Sequence, residues 1–409
     1  MVLRRRRPPR VERGHPWVYR TEIDRVEGAP GPGDEVEVVD ADGRRLGFGY
    51  YNEASMITVR LLTRDEPPAP DLWERRIALA KGRRDRLLPG ATAYRAVHAE
   101  GDDLPGLVVD RFGDVLVVEA LSLGVDVRLP TIVEALRRVF EPTTVYLRSD
   151  APVRRLEGLG DDSRTLAGPP PPERAIIEEE GVTYGVDVRA GQKTGHYFDQ
   201  RLNRRAAGAL CEGAEVLDAF CHTGGFGLQA LRQGARRVTF VDSSPAALQL
   251  AAENARRNGV ADRAEFLEAN AFDLLRQLER EGRRFDVVVL DPPAFAKSRQ
   301  ALDAALRGYH EINLRAVRLV RTGGYLVTAS CSQPLGRDAF LEMIAGAAGD
   351  DRRALRLLAL RGAGPDHPVA VAQPQGDYLK CAFLEVGEGW AGGGRRRGLP
   401  PLANEAGPV

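Results

Sequence analysis

Lysine is scarce in this chain. Only four of its 58 Lys and Arg residues are lysines; the rest are arginines. With much Ala, Gly and Pro, this bias reads as the codon usage of a GC-rich genome rather than as function. Cysteine is sparse too. Cys211, Cys221, Cys331 and Cys381 show no metal-type spacing, which excludes a zinc cluster and a disulfide framework and predicts free thiols in a reducing cytosol. No apolar run approaches the roughly 18 residues a membrane helix needs. The basic start Met1-Val-Leu-Arg-Arg-Arg-Arg has no apolar segment behind it, so it does not read as a signal peptide. A cytoplasmic protein without membrane partners is expected. Net charge is absent as well, with 58 basic and 58 acidic residues, which excludes a wholly basic nucleic-acid coat but permits local basic patches. Finally, no G-x-G-x-x-G dinucleotide fingerprint occurs, which argues against an oxidoreductase.

What is present divides into regions. At 409 residues the chain exceeds one ordinary core, and two or three domains are expected. Residues 1–75 read as a small all-β unit. Glu35-Val-Glu-Val-Val alternates, Asp42-Gly43 is a turn, and Leu46, Phe48 and Tyr50 alternate on the return. Six arginines fall between residues 4 and 13, a candidate RNA-backbone contact. Residues 76–170 look mixed α/β. Leu107 to Val118 suggests two strands around Gly113, and Pro130 to Phe140 a helix with Ile132, Val133, Leu136 and Val139 on one stripe. Gly168-Pro-Pro-Pro-Pro is a stiff linker. Residues 171–388 change character. Strand-like runs at Glu215–Phe220, Arg237–Asp242, Ala264–Glu268, Phe285–Leu290 and Tyr325–Ser330 alternate with amphipathic segments, which predicts a doubly wound, mainly parallel α/β sheet. The Gly-, Arg- and Pro-rich residues 389–409 predict a disordered tail.

The central motif is Val216-Leu-Asp-Ala-Phe-Cys-His-Thr-Gly-Gly-Phe. A buried strand ends near Asp218, and Gly224-Gly225 opens a helix at the sheet edge where such folds bind ligands. S-adenosylmethionine (SAM) has no pyrophosphate to cradle, so it suits a loop without the dinucleotide fingerprint. Asp218 would meet its ammonium, and Asp242, closing the next strand, its ribose hydroxyls. Phe220, Thr223, Ser243, Asn270 and Ala271 complete the candidate cofactor loops, with Asn270 at the adenine edge. Asp291-Pro292-Pro293-Ala-Phe follows the fourth strand. A proline pair cannot continue a central ladder, so an aspartate and Pro292 stand at the active edge. A strand stop alone would explain the prolines, but contact with a planar base explains the aspartate better. No metal site is expected.

These motifs, with Ser330-Cys-Ser, Gln192-Lys-Thr-Gly-His-Tyr-Phe-Asp-Gln-Arg, Asp366-His-Pro and Tyr378-Leu-Lys, resemble in order the bacterial large-subunit (23S) ribosomal RNA cytosine-5 methyltransferases that carry a PUA domain. The resemblance runs from Gly14-His-Pro-Trp to about Val386. It implies a small β-barrel PUA domain that binds RNA, an α/β central domain associated with RNA, and a Rossmann-like SAM domain. It also implies that Lys193, Thr194, Tyr197 and Gln200 lie against SAM, that large-subunit rRNA or its precursor is the partner, and that a homodimer is allowed. Two positions depart from the family pattern: Asn270 where an aspartate is common, and Cys221-His222 in the loop.

Methylation of carbon 5 needs a thiolate to attack carbon 6 first, because carbon 5 alone is a poor nucleophile. Cys331, at the end of a strand on the active edge, is the candidate nucleophile; Cys221 is its rival. Asp291 is the candidate for gripping the base, protonated or ionised. The proton-abstracting base stays open between water and Asp291. Phe295 and Tyr309 could stack on the base or serve the core. Lys297, Arg299 and Arg307 are candidate phosphate contacts. Three other readings compete: another RNA or atom as target, a non-catalytic SAM-retaining RNA binder, and a small-molecule methyltransferase.

Overall fold

The computed structural model describes residues 1–4 and 10–390. Arg5, Arg6 and Arg7 of the arginine-rich start, and most of the tail after residue 388, lie outside them. Among the described residues no helix is long and apolar enough to cross a membrane.

The N-terminal 63 residues form a six-stranded sheet in the order Trp17–Tyr19, Ile57–Thr63, Arg45–Tyr51, Glu35–Val39, Val2–Leu3, Ile23–Arg25. Register breaks at Val38/Val39 and Phe48/Gly49 bend it. The bend closes Val18, Val38, Leu46, Val59 and Leu61 into a small core.

A second sheet of five strands follows, ordered Asp162–Ala167, Thr144–Ser149, Val115–Ala120, Leu107–Phe112, Ala93–His98. Helices Leu72–Leu87 and Leu129–Phe140 cover one face over Leu107, Val109, Val118 and Leu136. The other face carries Arg95, Asp110 and Val117 toward the C-terminal half. There Asp110 receives both Nε and Nη2 of Arg95 at 2.8 Å. After the proline stretch a hairpin, Ala175–Glu179 with Val182–Val186, packs against the third sheet. The period-2 pattern of this hairpin had not stood out from the sequence.

The third sheet has seven strands, numbered here in chain order: β1 Glu215–Ala219, β2 Arg237–Asp242, β3 Ala264–Glu268, β4 Phe285–Leu290, β5 Val320–Ser330, β6 Arg353–Arg361 and β7 Lys380–Gly389. Their spatial order is 3-2-1-4-5-7-6. The first five are parallel; β7 inserts antiparallel beside β5 and pairs with β6. Both faces of β1 and β4 are covered, so they read as continuous apolar runs (Phe285, Val287, Val288, Val289 and Leu290 are all buried). Helix Pro245–Arg257 starts where the sequence places it, with Ser244 Oγ accepting from the Ala247 N–H. The strand order reverses between β1 and β4, running outward to β3 on one side and to β5 on the other, and loops leaving the carboxyl ends there splay apart to open a crevice.

Candidate active site

Five loops meet at the carboxyl edge of β1 to β5. The loop after β1 is strained. Phe220 and His222 take positive φ angles of 63° and 49°, and Lys193, in the segment facing them, takes 50°. Non-glycine residues seldom adopt this region, and such strain gathers at ligand loops. Gly224, at φ 87°, caps helix Gly225–Arg232. A Cβ on Gly225 would lie 2.4 Å from Arg204 Nε, so only glycine lets the helix start there.

Asp218 is fully buried. Its Oδ2 accepts the Gly227 N–H at 2.8 Å, while Oδ1 has no protein partner. Burial, opposed by the Gly227 hydrogen bond and reinforced by the nearby Asp291, pushes this carboxyl up to about 7. A buried acceptor with an unfilled valence is a demand for a donor. An ammonium such as that of SAM would fit there. Asp242 closes β2; its Oδ2 accepts from His222 N at 2.8 Å and its Oδ1 from Ser244 N at 2.9 Å. That fixes the carboxylate with lone pairs left for ribose hydroxyls. Ser243 is exposed beside it. Asn270 caps helix Ala271–Arg280, its Oδ1 accepting the Phe272 N–H at 2.9 Å, which leaves its amide N–H₂ free for a purine edge. Ala271 and Thr223 are buried beneath these loops, and Phe220 packs edge-on against Phe272. The donor set fits SAM: carboxylates for its cations and hydroxyls, apolar surface for its adenine.

The segment before the sheet crosses the same edge. Gln200 Nε2 donates to Asp291 Oδ1 at 2.8 Å. Lys193 Nζ lies over the Tyr197 ring at 4.3 Å and 3.2 Å from Asp199 Oδ2. Tyr197 meets His222 edge-on, and its hydroxyl donates to Gln192. Thr194 departs from its expected place. It is fully buried and its hydroxyl donates to Asp110 of the central sheet, away from the cofactor loops.

Asp291, after β4, and Cys331, after β5, complete the edge. Burial and the nearby Asp199 push the Asp291 carboxyl up to about 6. Burial and Asp291 push the Cys331 thiol up to about 11. Cys331 Sγ lies 3.9 Å from the Pro292 carbonyl. It is the one cysteine not buried; Cys211, Cys221 and Cys381 all are. Burial holds the Cys221 thiol far above its ordinary value, which leaves it inert as a rival. Tyr309 is fully buried and bonded to Ser332, so it belongs to the core, and half-buried Phe295 stacks on it. Lys297, Arg299 and Arg307 are exposed. His196 and His367 are buried in ion clusters, and His310 faces Asp350.

Three further residues join the site without having been given a role from the sequence. Asp199 accepts from Tyr378 Oη at 2.6 Å, and Lys380 sits beneath Cys331. Their signal was the scarcity of lysine. Of the four lysines, Lys193, Lys297 and Lys380 all stand on segments that border this edge.

The fold and site together define a class I SAM-dependent methyltransferase. Residues 100–368 match the S-adenosylmethionine-dependent methyltransferase family, to which the chain belongs, and residues 1–64 match the PUA-like domain. The chain is 43% identical over 374 residues to ribosomal RNA large subunit methyltransferase I of Aeromonas hydrophila, covering 90% of this chain and 94% of that one. It is 43% identical over 381 residues to the protein of the same name from Shewanella amazonensis, covering 92% and 96%. Among solved structures, a SAM-dependent methyltransferase assignment from Streptococcus mutans superposes with a TM-score of 0.81 at 21% identity, covering 94% of this chain and 99% of that one. A second, complexed with SAH, gives 0.80 at 21% identity, covering 92% and 96%. At that identity the structures speak for the fold.

Proposed function

We propose that the protein methylates carbon 5 of a cytosine in large-subunit ribosomal RNA, with Cys331 as the covalent nucleophile. One observation carries this reading. The only half-exposed thiol among the described residues stands at the end of β5, beside an aspartate after β4 and one strand further from the cofactor strand. A methyltransferase acting on oxygen or nitrogen has no need of a thiol there.

SAM supplies an electrophilic methyl group. The remaining work belongs to the protein. Gln200 holds Asp291 Oδ1 and leaves Oδ2 for the base. With its carboxyl at about 6, Asp291 takes up a proton readily and can donate it to N3, drawing electrons from the ring. A protonated Asp291 also removes the negative charge that opposes ionisation of Cys331. The thiolate then bonds to carbon 6, the 5,6 double bond yields its electron pair, and carbon 5 becomes the nucleophile. Transfer of the methyl group, loss of the carbon 5 proton and expulsion of the thiolate restore the aromatic ring. A cytosine within a helix hides carbons 5 and 6, so the base must come from a loop or be flipped out. The PUA-like and central domains are the surfaces that would hold the surrounding RNA. The large-subunit rRNA named for the relatives supports this substrate.

The test is incubation with methyl-labelled SAM and unmodified large-subunit rRNA, digestion to nucleosides, and chromatography. Label in 5-methylcytidine is expected, and Cys331→Ala should lower the rate on the order of a thousandfold or more. Label in another nucleoside, or an active Cys331→Ala protein, would overturn the covalent mechanism.

A further inference from the structure

Lys380 opens β7 directly opposite Ser330, the residue before the nucleophile. Its side chain is 2% exposed. Nζ donates to the Ser332 carbonyl at 2.7 Å and to the Tyr378 carbonyl at 2.7 Å. It has no carboxylate partner among the described residues. An ammonium carries three donors, so one N–H remains beside the Cys331 turn. Burying an ammonium without a counter-anion costs several kcal/mol. Two carbonyls do not require that charge, since a neutral donor would hold them as well. Something transiently negative nearby explains it, and the Cys331 thiol, one residue beyond the Ser330 that Lys380 faces, is an ionisable group whose charge acts on this ammonium.

We propose that Lys380 is the positioning residue for Cys331: it fixes the main-chain turn that presents the sulfur and stabilises the thiolate as it forms. The proposal rests on the reading of Cys331 as nucleophile. The charges facing the sulfur otherwise oppose one another, with Asp291 and Asp199 against Lys193. Lys193 is 40% exposed at the mouth of the site and is held by Asp199. Lys380 comes from below, shielded from water, with Asp377 and Arg337 as its other charged neighbours. Burial lowers its own value to about 8, and the Cys331 thiolate works against that shift.

The test measures alkylation of Cys331 by iodoacetamide across pH, by peptide mass spectrometry, in the full chain without RNA. The buried Cys211, Cys221 and Cys381 report unfolding within the same sample. Lys380→Gln, which keeps a donor and loses the charge, should slow Cys331 modification about tenfold at a given pH, the effect of a one-unit rise in thiol pKa. Lys380→Arg, which keeps the charge, should recover most of that loss. Methylation kcat should fall in Lys380→Gln while SAM affinity and KM for RNA hold. Unchanged or faster alkylation in Lys380→Gln, with the other three thiols still protected, would overturn the proposal. Cys331→Ala is assayed alongside. If it still methylates, the nucleophile reading falls, while the alkylation result still decides whether Lys380 tunes this thiol.

Discussion

Two groups of buried charge are built from one stretch of chain, residues 193–204, and they differ in how their valences are filled. On one side, Glu179 Oε1 accepts from Arg204 Nη1 at 2.8 Å, its Oε2 meets His196 Nε2 at 3.2 Å, and Arg201 closes in at 3.8 Å. Both carboxylate oxygens are taken. Burial works against the charge, yet the two arginines and the histidine hold Glu179 well below the usual carboxylate range. On the other side, Asp199 keeps Oδ1 unpaired while Oδ2 serves Tyr378 and Lys193, and Asp218 keeps Oδ1 unpaired beneath the cofactor loop. The closed group cements the helix Arg201–Gly208 to the hairpin. The open one waits for donors the protein does not supply. Burial and charge alone do not separate the two, nor does any unpaired atom, since Arg201 Nε and Arg204 Nε also lack partners in the first group; what differs is the unfilled carboxylate oxygen at the carboxyl edge.

The sharpest way to break this comparison is to remove the anion of the closed group. Glu179→Gln leaves Arg204 buried without its paired carboxylate and Arg201 with only Glu180 Oε1 at 4.0 Å, and a loss of about 3–5 kcal/mol is expected. Thermal and urea unfolding would show it as a marked drop in midpoint. SAM affinity, measured well below that midpoint, should change little. A variant as stable as the wild type would mean that the cluster is not structural.

Asp218→Asn does the opposite. If Asp218 holds the ammonium of SAM, this substitution removes the facing charge, and SAM affinity should fall about a hundredfold, near 2–3 kcal/mol for a hydrogen bond to a charged group. The pH dependence follows from the same residue. Burial raises Asp218 to about 7, so the free protein holds that proton more tightly folded than unfolded, and this group stabilises the free fold as pH falls through about 7. Binding needs the carboxylate, so SAM affinity should run the other way and weaken as pH falls below about 7, by at most about tenfold per unit. Calorimetry at about pH 6 and 8 should find proton release on binding at the lower value. A pH-independent affinity in the wild type would remove Asp218 from its role.

Much of this was legible in the sequence because the catalytic sheet is local in pattern. Strands β1, β2 and β4 are largely apolar, the edge strand β3 mixes apolar and acidic residues, and the four are ended by Asp218, Asp242, Asn270 and Asp291, each end within a residue or two of its expected place. What escaped was non-local. The insertion of β7 between β5 and β6 brings Tyr378 and Lys380 beneath Cys331, and no spacing within 320–390 announces which strand lies in the middle. The hairpin 175–186 escaped for a similar reason, since its buried face is defined by helix Pro245–Arg257, whose Asn254 Oδ1 accepts the Gly185 N–H at 2.7 Å. The raised thiol of Cys331 was likewise invisible, because it depends first on burial by the surrounding elements and then on Asp291 arriving from another strand.

Thr194 tests the boundary between the two groups most finely. It lies one residue from Lys193, and the segment's resemblance places it against SAM. Yet its hydroxyl donates to Asp110 Oδ2, which Arg95 also holds, so it ties the cofactor segment to the central sheet. Thr194→Val keeps the shape and removes one hydrogen bond. The expected cost is about 1.5–3 kcal/mol of stability, the range for a hydrogen bond to a charged group, with SAM affinity unchanged within about twofold because Asp218, Asp242 and Asn270 are untouched. If affinity falls much further while stability holds, Thr194 belongs to the open group after all. The central sheet would then reach the cofactor through Asp110 rather than merely bracing the segment that carries Lys193.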